Sequence, residues 1–412
     1  MIDERASGVL PRQTLRQAVD LGWIVSNADT PDRNFQPASL DLTVGPVAYR
    51  LQSSFLPGSM TVREKLRDYV MDEIDLTAGG VLERGRPYLI PLQERLRLPE
   101  FVRARANPRS STGRLDVFTR LIVDRGQRFD EVKLGYQGEL FLEVVSRSFT
   151  IKLRQGYTLN QLRLIVGAPR VSDAELYEIS QREHLVFGPR TVSPGETAPV
   201  HDGIFLSVDL SRSRNLQYVG YKAKKSSALL DLSVTGKYKI ADFWDRIGLD
   251  RRGRLILEPE EFYLLVSRER VRIPLELAAE MAAYDPTSGE LRTHYAGFFD
   301  PGFGVVPPDQ RQGTAAVLEV RAHDVAFALE HGQRLCKLTF ERMLSAPDKA
   351  YGQDLGSRYQ RQYLAVGRQF VPDPPSRMEA EHNPELFGEE PLKLELIEGE
   401  PDALVMPLEL ST

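Results

Sequence analysis

A mainly β protein made of two tandem copies of one barrel or jelly-roll unit, with a short helix at its start, is the fold class this sequence predicts. The first observation behind it is an internal repeat. Pro87-Tyr88-Leu89, with Arg95-Leu96-Arg97-Leu98-Pro99 downstream, returns as Phe262-Tyr263-Leu264 followed by Arg270-Val271-Arg272-Ile273-Pro274. Leu140-Phe141-Leu142-Glu143-Val144 and Leu153-Arg154-Gln155-Gly156 return as Ala316-Val317-Leu318-Glu319-Val320 and Leu329-Glu330-His331-Gly332. Tyr88 and Tyr263 stand 175 residues apart and Glu143 and Glu319 stand 176 apart, so order and spacing are shared. Leu40-Asp41-Leu42-Thr43-Val44 is matched in the same way to Leu230-Asp231-Leu232-Ser233-Val234. The second observation is that the apolar segments are short, rich in Val, Ile, Leu, Phe and Tyr, and broken by Gly, Pro and charged turns, the mark of many short strands. Third, helical spacing is confined mainly to the beginning of the chain.

Taken in order, that helix follows Thr14, places Leu15, Ala18 and Val19 on one side and meets a stop at Gly22. The strands after it make a first unit over residues 1–188. Gly188-Pro189-Arg190-Thr191-Val192-Ser193-Pro194-Gly195 suits a linker better than a strand, and a second unit follows over 189–371. Beyond Phe370, Val371-Pro372-Asp373-Pro374-Pro375 leads into a Glu-rich stretch, so 372–412 is expected to be an acidic, largely flexible tail.

The chain has 412 residues, 42% hydrophobic and 27% charged, which is ordinary globular composition for about two domains. A net charge of −5 argues against a protein that coats a nucleic acid polymer, so any phosphate chemistry is expected to be local. The apolar runs are too short to span a bilayer and Met1-Ile2-Asp3-Glu4-Arg5 lacks the features of a signal peptide, so a cytoplasmic location is expected. Cys336 is the one cysteine, and none of the six histidines forms a His-x-x-x-His pair. A zinc site of the kind that base deaminases use needs a Pro-Cys-x-x-Cys element this chain cannot supply, so no protein-bound metal is expected.

Asn107-Pro108-Arg109-Ser110-Ser111-Thr112-Gly113-Arg114 carries the strongest chemical signal. Two guanidinium groups, three hydroxyls and a glycine within six residues can surround a polyphosphate, since arginine offers forked donors and glycine admits close backbone approach. A surface turn with ordinary salt bridges is the plainer reading of the same residues. In each copy a glycine-bearing turn then leads to a strand holding a glutamate on an otherwise apolar face. Alternation puts Leu140, Leu142 and Val144 on one side and Phe141, Glu143 and Val145 on the other. Such a carboxylate either finds a specific partner or has its pKa raised toward the range of general acid–base work. The loop His294-Tyr295-Ala296-Gly297-Phe298-Phe299-Asp300-Pro301-Gly302 could grip a planar base, and Tyr351-Gly352 with Ser357-Arg358-Tyr359-Gln360-Arg361-Gln362 could close over a nucleotide. Core aromatics and a solvated loop are the competing readings.

Over roughly residues 9–370 these motifs resemble the dCTP deaminases of the dUTPase-like superfamily, and in particular their long, duplicated bacterial branch. Arg109 to Arg114 resembles that family's triphosphate loop, Phe141-Leu142-Glu143 and Val317-Leu318-Glu319 its glutamate-bearing strand, and Asp300-Pro301-Gly302 its nucleotide-contacting turn. Tyr351, Arg358 and Gln362 match its C-terminal tyrosine, basic residue and glutamine in spacing. The first copy has Lys133-Leu134-Gly135 where that turn would be, and the second has Tyr284-Asp285-Pro286-Thr287-Ser288-Gly289 in place of the arginine-serine-serine loop, so neither copy is complete alone.

The resemblance implies two dUTPase-like domains and hydrolysis of dCTP to dUTP and ammonia without zinc; magnesium is expected with the triphosphate, a tetra-anion rarely held by two or three cations alone. It further implies a catalytic glutamate, Glu319 ahead of Glu143, with Ser110 and Arg114 orienting water. Arg109, Ser111, Thr112, Gly113, Asp300, Phe141, Leu142, Val317, Leu318, Tyr351, Arg358 and Gln362 would contact substrate. A homo-oligomer, a trimer by preference, and inhibition by dTTP are further expectations. Cleavage of dUTP to dUMP and pyrophosphate, alone or as a second activity, and a non-catalytic nucleotide-binding assembly are the alternatives.

Overall fold

The computed structural model describes residues 4–188, 197–211, 218–283, 291–293, 297–305, 313–322, 324–352, 355, 359–360, 364–372 and 390–396. The described residues are mainly β, with short α-helices set between strands. In the first unit one antiparallel sheet runs Gly8–Val9, Thr158–Val166, Val102–Pro108, Glu131–Val132, with Leu40–Thr43 also on Thr158–Val166. The other runs Val70–Asp75, Val47–Leu51, Pro87–Arg97, Gln137–Ser146, Val117–Val123, with Ile24–Ser26 added to Pro87–Arg97. Leu140, Leu142 and Val144 point into the core between these sheets, as alternation requires.

The second unit repeats this arrangement in matching register. Glu143 lies opposite Leu89 and Val144 opposite Tyr88, and Glu319 lies opposite Leu264 and Val320 opposite Tyr263. The tyrosine hydroxyls play the same part in both units, accepting from the backbone N–H of Glu83 at 3.0 Å and of Glu258 at 2.9 Å. A second shared device joins a buried glutamate to a strand end. Glu94 accepts from the N–H and hydroxyl of Thr43, and Glu269 from the N–H and hydroxyl of Ser207.

That device corrects one of the expected matches. The counterpart of Leu40–Thr43 is Ile204–Ser207, which lies on Arg334–Arg342 as Leu40–Thr43 lies on Thr158–Val166. Leu230–Asp231 instead crosses to the first unit and pairs in parallel with Ile151–Leu153. A five-residue apolar-acidic pattern suits either position, and only the partner strand tells them apart.

The helix Arg12–Asp20 also has a counterpart, Asp173–Arg182, which helical spacing alone did not reveal. Its start carries a reciprocal cap between Ser172 and Glu175, a Ser-x-x-Glu signature that is legible in the chain. Val171, Leu176, Ile179, Leu185 and Val186 all pack in the second unit's core. The second unit therefore starts near residue 171, ahead of the expected 188/189 boundary, and 189–196 lie outside the described residues. The tail needs a similar correction over seven residues: Glu390–Pro391 pairs with Val186–Gly188 and Lys393–Leu396 runs parallel to Thr197–Val200. Leu392 and Leu394 alternate with charged neighbours and are buried in the second core, which is what draws this stretch into the sheets. The remaining tail residues, 373–389 and 397–412, lie outside the described set.

The two units share an apolar seam. Phe149 of the first meets Phe243 and Trp244 of the second edge-on at 5.6 and 5.4 Å between ring centroids, and Phe370 closes the same cluster. This seam holds the first unit's Arg109–Arg114 loop against the second unit's Thr314–Ala322 strand.

Candidate active site

The loop is shaped by its own backbone. Strand Val102–Pro108 ends at a proline, Arg109 caps a single helical turn over Ser110–Gly113, and Asp116 turns the chain at a φ of 56° into the next strand. Gly113 faces the other unit, and a Cβ built there would lie 2.4 Å from Oε2 and 2.7 Å from Oε1 of Glu319. No larger residue fits without moving the carboxylate, so the glycine's role here is close approach.

Glu319 itself is buried, and its Oε2 has no hydrogen-bond partner among the described residues. Loss of solvent pushes its pKa well above the usual carboxylate value; the Arg114 guanidinium opposes the shift and Asp116 adds to it. Arg114, also buried, donates to the Ala365 carbonyl at 2.9 Å and lies 3.7 Å from the centroid of the Tyr359 ring. Asp116 accepts from Ser148 at 2.5 Å and is ion-paired with Arg321, two residues beyond Glu319 on the same strand. The loop from one unit and the glutamate strand from the other are thereby tied by an ion pair beside the Gly113–Glu319 contact.

Around this contact opens a narrow cleft with an enclosed volume of about 60 Å³. Arg109, Ser110 and Arg114 line it from the first unit, and Phe298, Asp300, Phe303, Val317, Glu319, Tyr351 and Tyr359 from the second. Asp300 sits at the hairpin whose Gly302 has a φ of 95°, and Gly302 approaches the Tyr351 backbone closely. Burial raises the Asp300 pKa, and Arg163, 3.4 Å away on the first unit, opposes that. Gln360 pins the same hairpin, accepting from the Gly304 N–H and donating to the Gly302 and Val305 carbonyls.

The cleft continues outward past Ser111 to Asp41, Tyr157, Gln161 and Arg368. Arg109 reaches Asp41 at 3.2 Å and donates to the Thr158 hydroxyl. Burial pushes the Asp41 carboxyl up to about 6 despite that arginine. Asp41, Tyr157, Arg163 and Arg368 are site residues that the sequence alone does not mark. Arg163 leaves the clearest trace, a lone cation in the apolar run Leu162-Arg163-Leu164-Ile165-Val166.

Not every expected residue comes here. Thr112 is buried behind the loop, and Leu318 points into the second unit's core. Phe141, Leu142 and Glu143 lie in the first unit away from the cleft residues. Glu143 is bound by Arg120, with Nε at 3.0 Å, and Phe141 beside it is covered by Leu51, Phe55, Val62 and Leu66. Lys133 takes the place of Asp300 at the equivalent hairpin, where Gly135 has a φ of 67°. Residues 294–296, Arg358 and Gln362 lie outside the described residues.

Fold and cleft together define a tandem β-barrel protein with an arginine-lined, carboxylate-bearing ligand site built between its units. The family models for the N-terminal and C-terminal domains of 2'-deoxycytidine 5'-triphosphate deaminase match residues 6–168 and 172–370. A crystal structure of 2'-deoxycytidine 5'-triphosphate deaminase from Agrobacterium tumefaciens is 43% identical and superposes with a TM-score of 0.77, over 84% of this chain and 100% of that one. The dCTP deaminase of Haloarcula marismortui is 33% identical over 129 residues, 30% of this chain and 60% of that enzyme. A "dCTP deaminase, dUMP-forming" from Halobacterium salinarum is 33% identical over 110 residues, 26% of this chain and 52% of that enzyme. The chain belongs to the 2'-deoxycytidine 5'-triphosphate deaminase family, and it is an enzyme.

Proposed function

We propose that this chain deaminates dCTP to dUTP and ammonia at the cleft between its units, with Glu319 as general base. The observation that carries this reading is the buried Glu319 carboxylate, its Oε2 without a partner among the described residues, set against Gly113 of an arginine-serine loop from the other unit. Glu319 takes a proton from water as the oxygen bonds to C4 of cytosine, and the C4–N bond then breaks. The two protons of that water end on N3 of the ring and on the departing ammonia. Arg114 and Ser110 orient the water and offset developing charge; Arg109, Ser111 and the loop backbone hold phosphate. Phe298, Phe303 and Tyr351 provide apolar walls for the base and sugar, beside Asp300.

Magnesium belongs to the same proposal as a passenger on the triphosphate. The carboxylates along the cleft fit that role only indirectly, since Asp41 and Asp300 each face an arginine and Glu319 faces the reacting position. Trimeric assembly and inhibition by dTTP are parts of the reading that rest on the family resemblance; a cytoplasmic location rests on the short apolar runs of the sequence.

Chromatography of products from dCTP tests it. Equal amounts of dUTP and ammonia are expected; dUMP with pyrophosphate would move the chain to the reaction named for the Halobacterium relative, and bound but unchanged dCTP would leave a binding protein.

A further inference from the structure

Among the described residues, the outer part of the cleft is short of positive charge for a triphosphate. Arg109 is half-committed to Asp41 at 3.2 Å, and Arg114 faces inward to Glu319, Ala365 and Tyr359. Among the described residues lining the outer cleft, the other cations are Arg33 and Arg368. Arg33 is exposed on a surface 3-10 turn. Arg368 is placed differently. Its backbone is tied to the Gly236 N–H at 2.9 Å, and its guanidinium stands 5.1 Å from the centroid of the Tyr157 ring, which belongs to the first unit. Tyr157 is steadied in turn by Gln369, whose amide donates to the phenol at 3.3 Å. A planar cation seated on an aromatic face, close enough to Asp41 for its charge to be felt there, is pre-organised for a forked contact with phosphate.

We propose that Arg368 is a specificity-determining residue that binds the outermost phosphate and sets the preference for nucleoside triphosphates over mono- and diphosphates. The inference rests on the nucleotide reading of the cleft. A guanidinium–phosphate contact at the end of the chain adds nothing to the chemistry at C4, so it separates substrates by phosphate number and leaves the turnover of bound substrate unchanged.

The test compares the full-length chain with Arg368→Met and Arg368→Lys, measuring kcat and KM for dCTP, dCDP and dCMP. Arg368→Met is expected to lower kcat/KM for dCTP about ten- to a hundredfold, through KM, while the values for dCMP stay within about twofold, so that the triphosphate preference collapses. Arg368→Lys keeps charge without the fork or the stacking and should recover part of the preference. Tyr157→Ala, which removes the platform, should mimic Arg368→Met in weaker form. Equal losses for all three nucleotides, or an undiminished preference for dCTP, would overturn the assignment. Binding of inorganic tripolyphosphate by calorimetry separates this from the deaminase reading: if the wild-type chain turns over no cytidine nucleotide yet binds tripolyphosphate more tightly than Arg368→Met does, the reaction is misassigned and the anion site stands. Equal tripolyphosphate affinity would sink the anion site.

Discussion

Glu319 and Glu143 occupy the same register on the same strand of two copies of one fold, yet their surroundings have diverged. Glu143 is held by Arg120 and lies beside a small apolar cluster formed when residues 51–66 fold back over their own sheet. In the second unit the corresponding connection does not fold back. It reaches across to pair Leu230–Asp231 with the first unit, and the face carrying Glu319 receives the Arg109–Arg114 loop. An identical residue at an identical position is thus an ion-pair partner in one place and a desolvated acid in the other. What packs over a strand decides what its carboxylate can do.

The sharpest way to break this comparison is to remove each carboxylate separately. Glu319→Gln is expected to lower ammonia release by about a thousandfold or more, within the usual worth of a positioned base, while Glu143→Gln keeps turnover within a few-fold. The penalty of Glu143→Gln should appear instead as a lower Tm, since Arg120 loses its partner. A larger loss in Glu143→Gln would reverse the roles.

Next in size is Gly113→Ala. Its Cβ would sit 2.4 Å from the Glu319 carboxylate, so turnover should drop about a hundredfold with the circular dichroism spectrum unchanged. Alanine at Gly135, against the ordinary backbone of Glu100, should leave turnover alone and cost stability through its φ of 67°.

The raised pKa of Glu319 gives a smaller, signed effect. A carboxyl whose pKa is higher folded than unfolded binds more protons in the native state, so its contribution is fully present below the unfolded value of 4.5 and is lost as pH rises through the folded value. Glu319→Gln should therefore have a higher Tm than the wild type at pH 8, with the gap closing toward pH 4.5. The wild-type rate should in turn fall on the acid side at a pH well above an ordinary carboxylate's. An acid limb near 4.5, with no Tm gap at pH 8, would mean that Glu319 is solvated.

The smallest effect tests the likeness of the copies rather than their difference. Thr43→Val and Ser207→Ala each strip a hydroxyl from a buried glutamate, Glu94 or Glu269, and each should cost about 1–2 kcal/mol in chemical denaturation. Unequal costs would show that the two strand ends are not equivalent pins.

Much of this was legible in the chain because its signals are local. The repeat shows in short patterns at constant spacing, and Arg109 to Arg114 bunches its donors within six residues. The failures are as informative. Leu230-Asp231 was matched to Leu40-Asp41 because composition does not record which strand lies alongside, and the helix Asp173–Arg182 was missed although its Ser172 and Glu175 cap was readable. Arg163 and Asp41 carry little signal in the chain because one ionic residue in a strand gains meaning only when the element facing it is known.

By itself, then, the amino-acid order indicated two β units, an arginine-serine loop in the first, a strand glutamate in each, and that neither copy holds the full set of motifs. The complementary gaps of the two copies already point to a set divided between them; only the tertiary structure decided that the first unit's loop meets Glu319 of the second, at Gly113, 206 residues earlier in the chain. The physical reason is desolvation. A side chain's type and register follow from nearest neighbours, but the loss of water and partners that makes a carboxylate reactive depends on which distant segment comes to cover it.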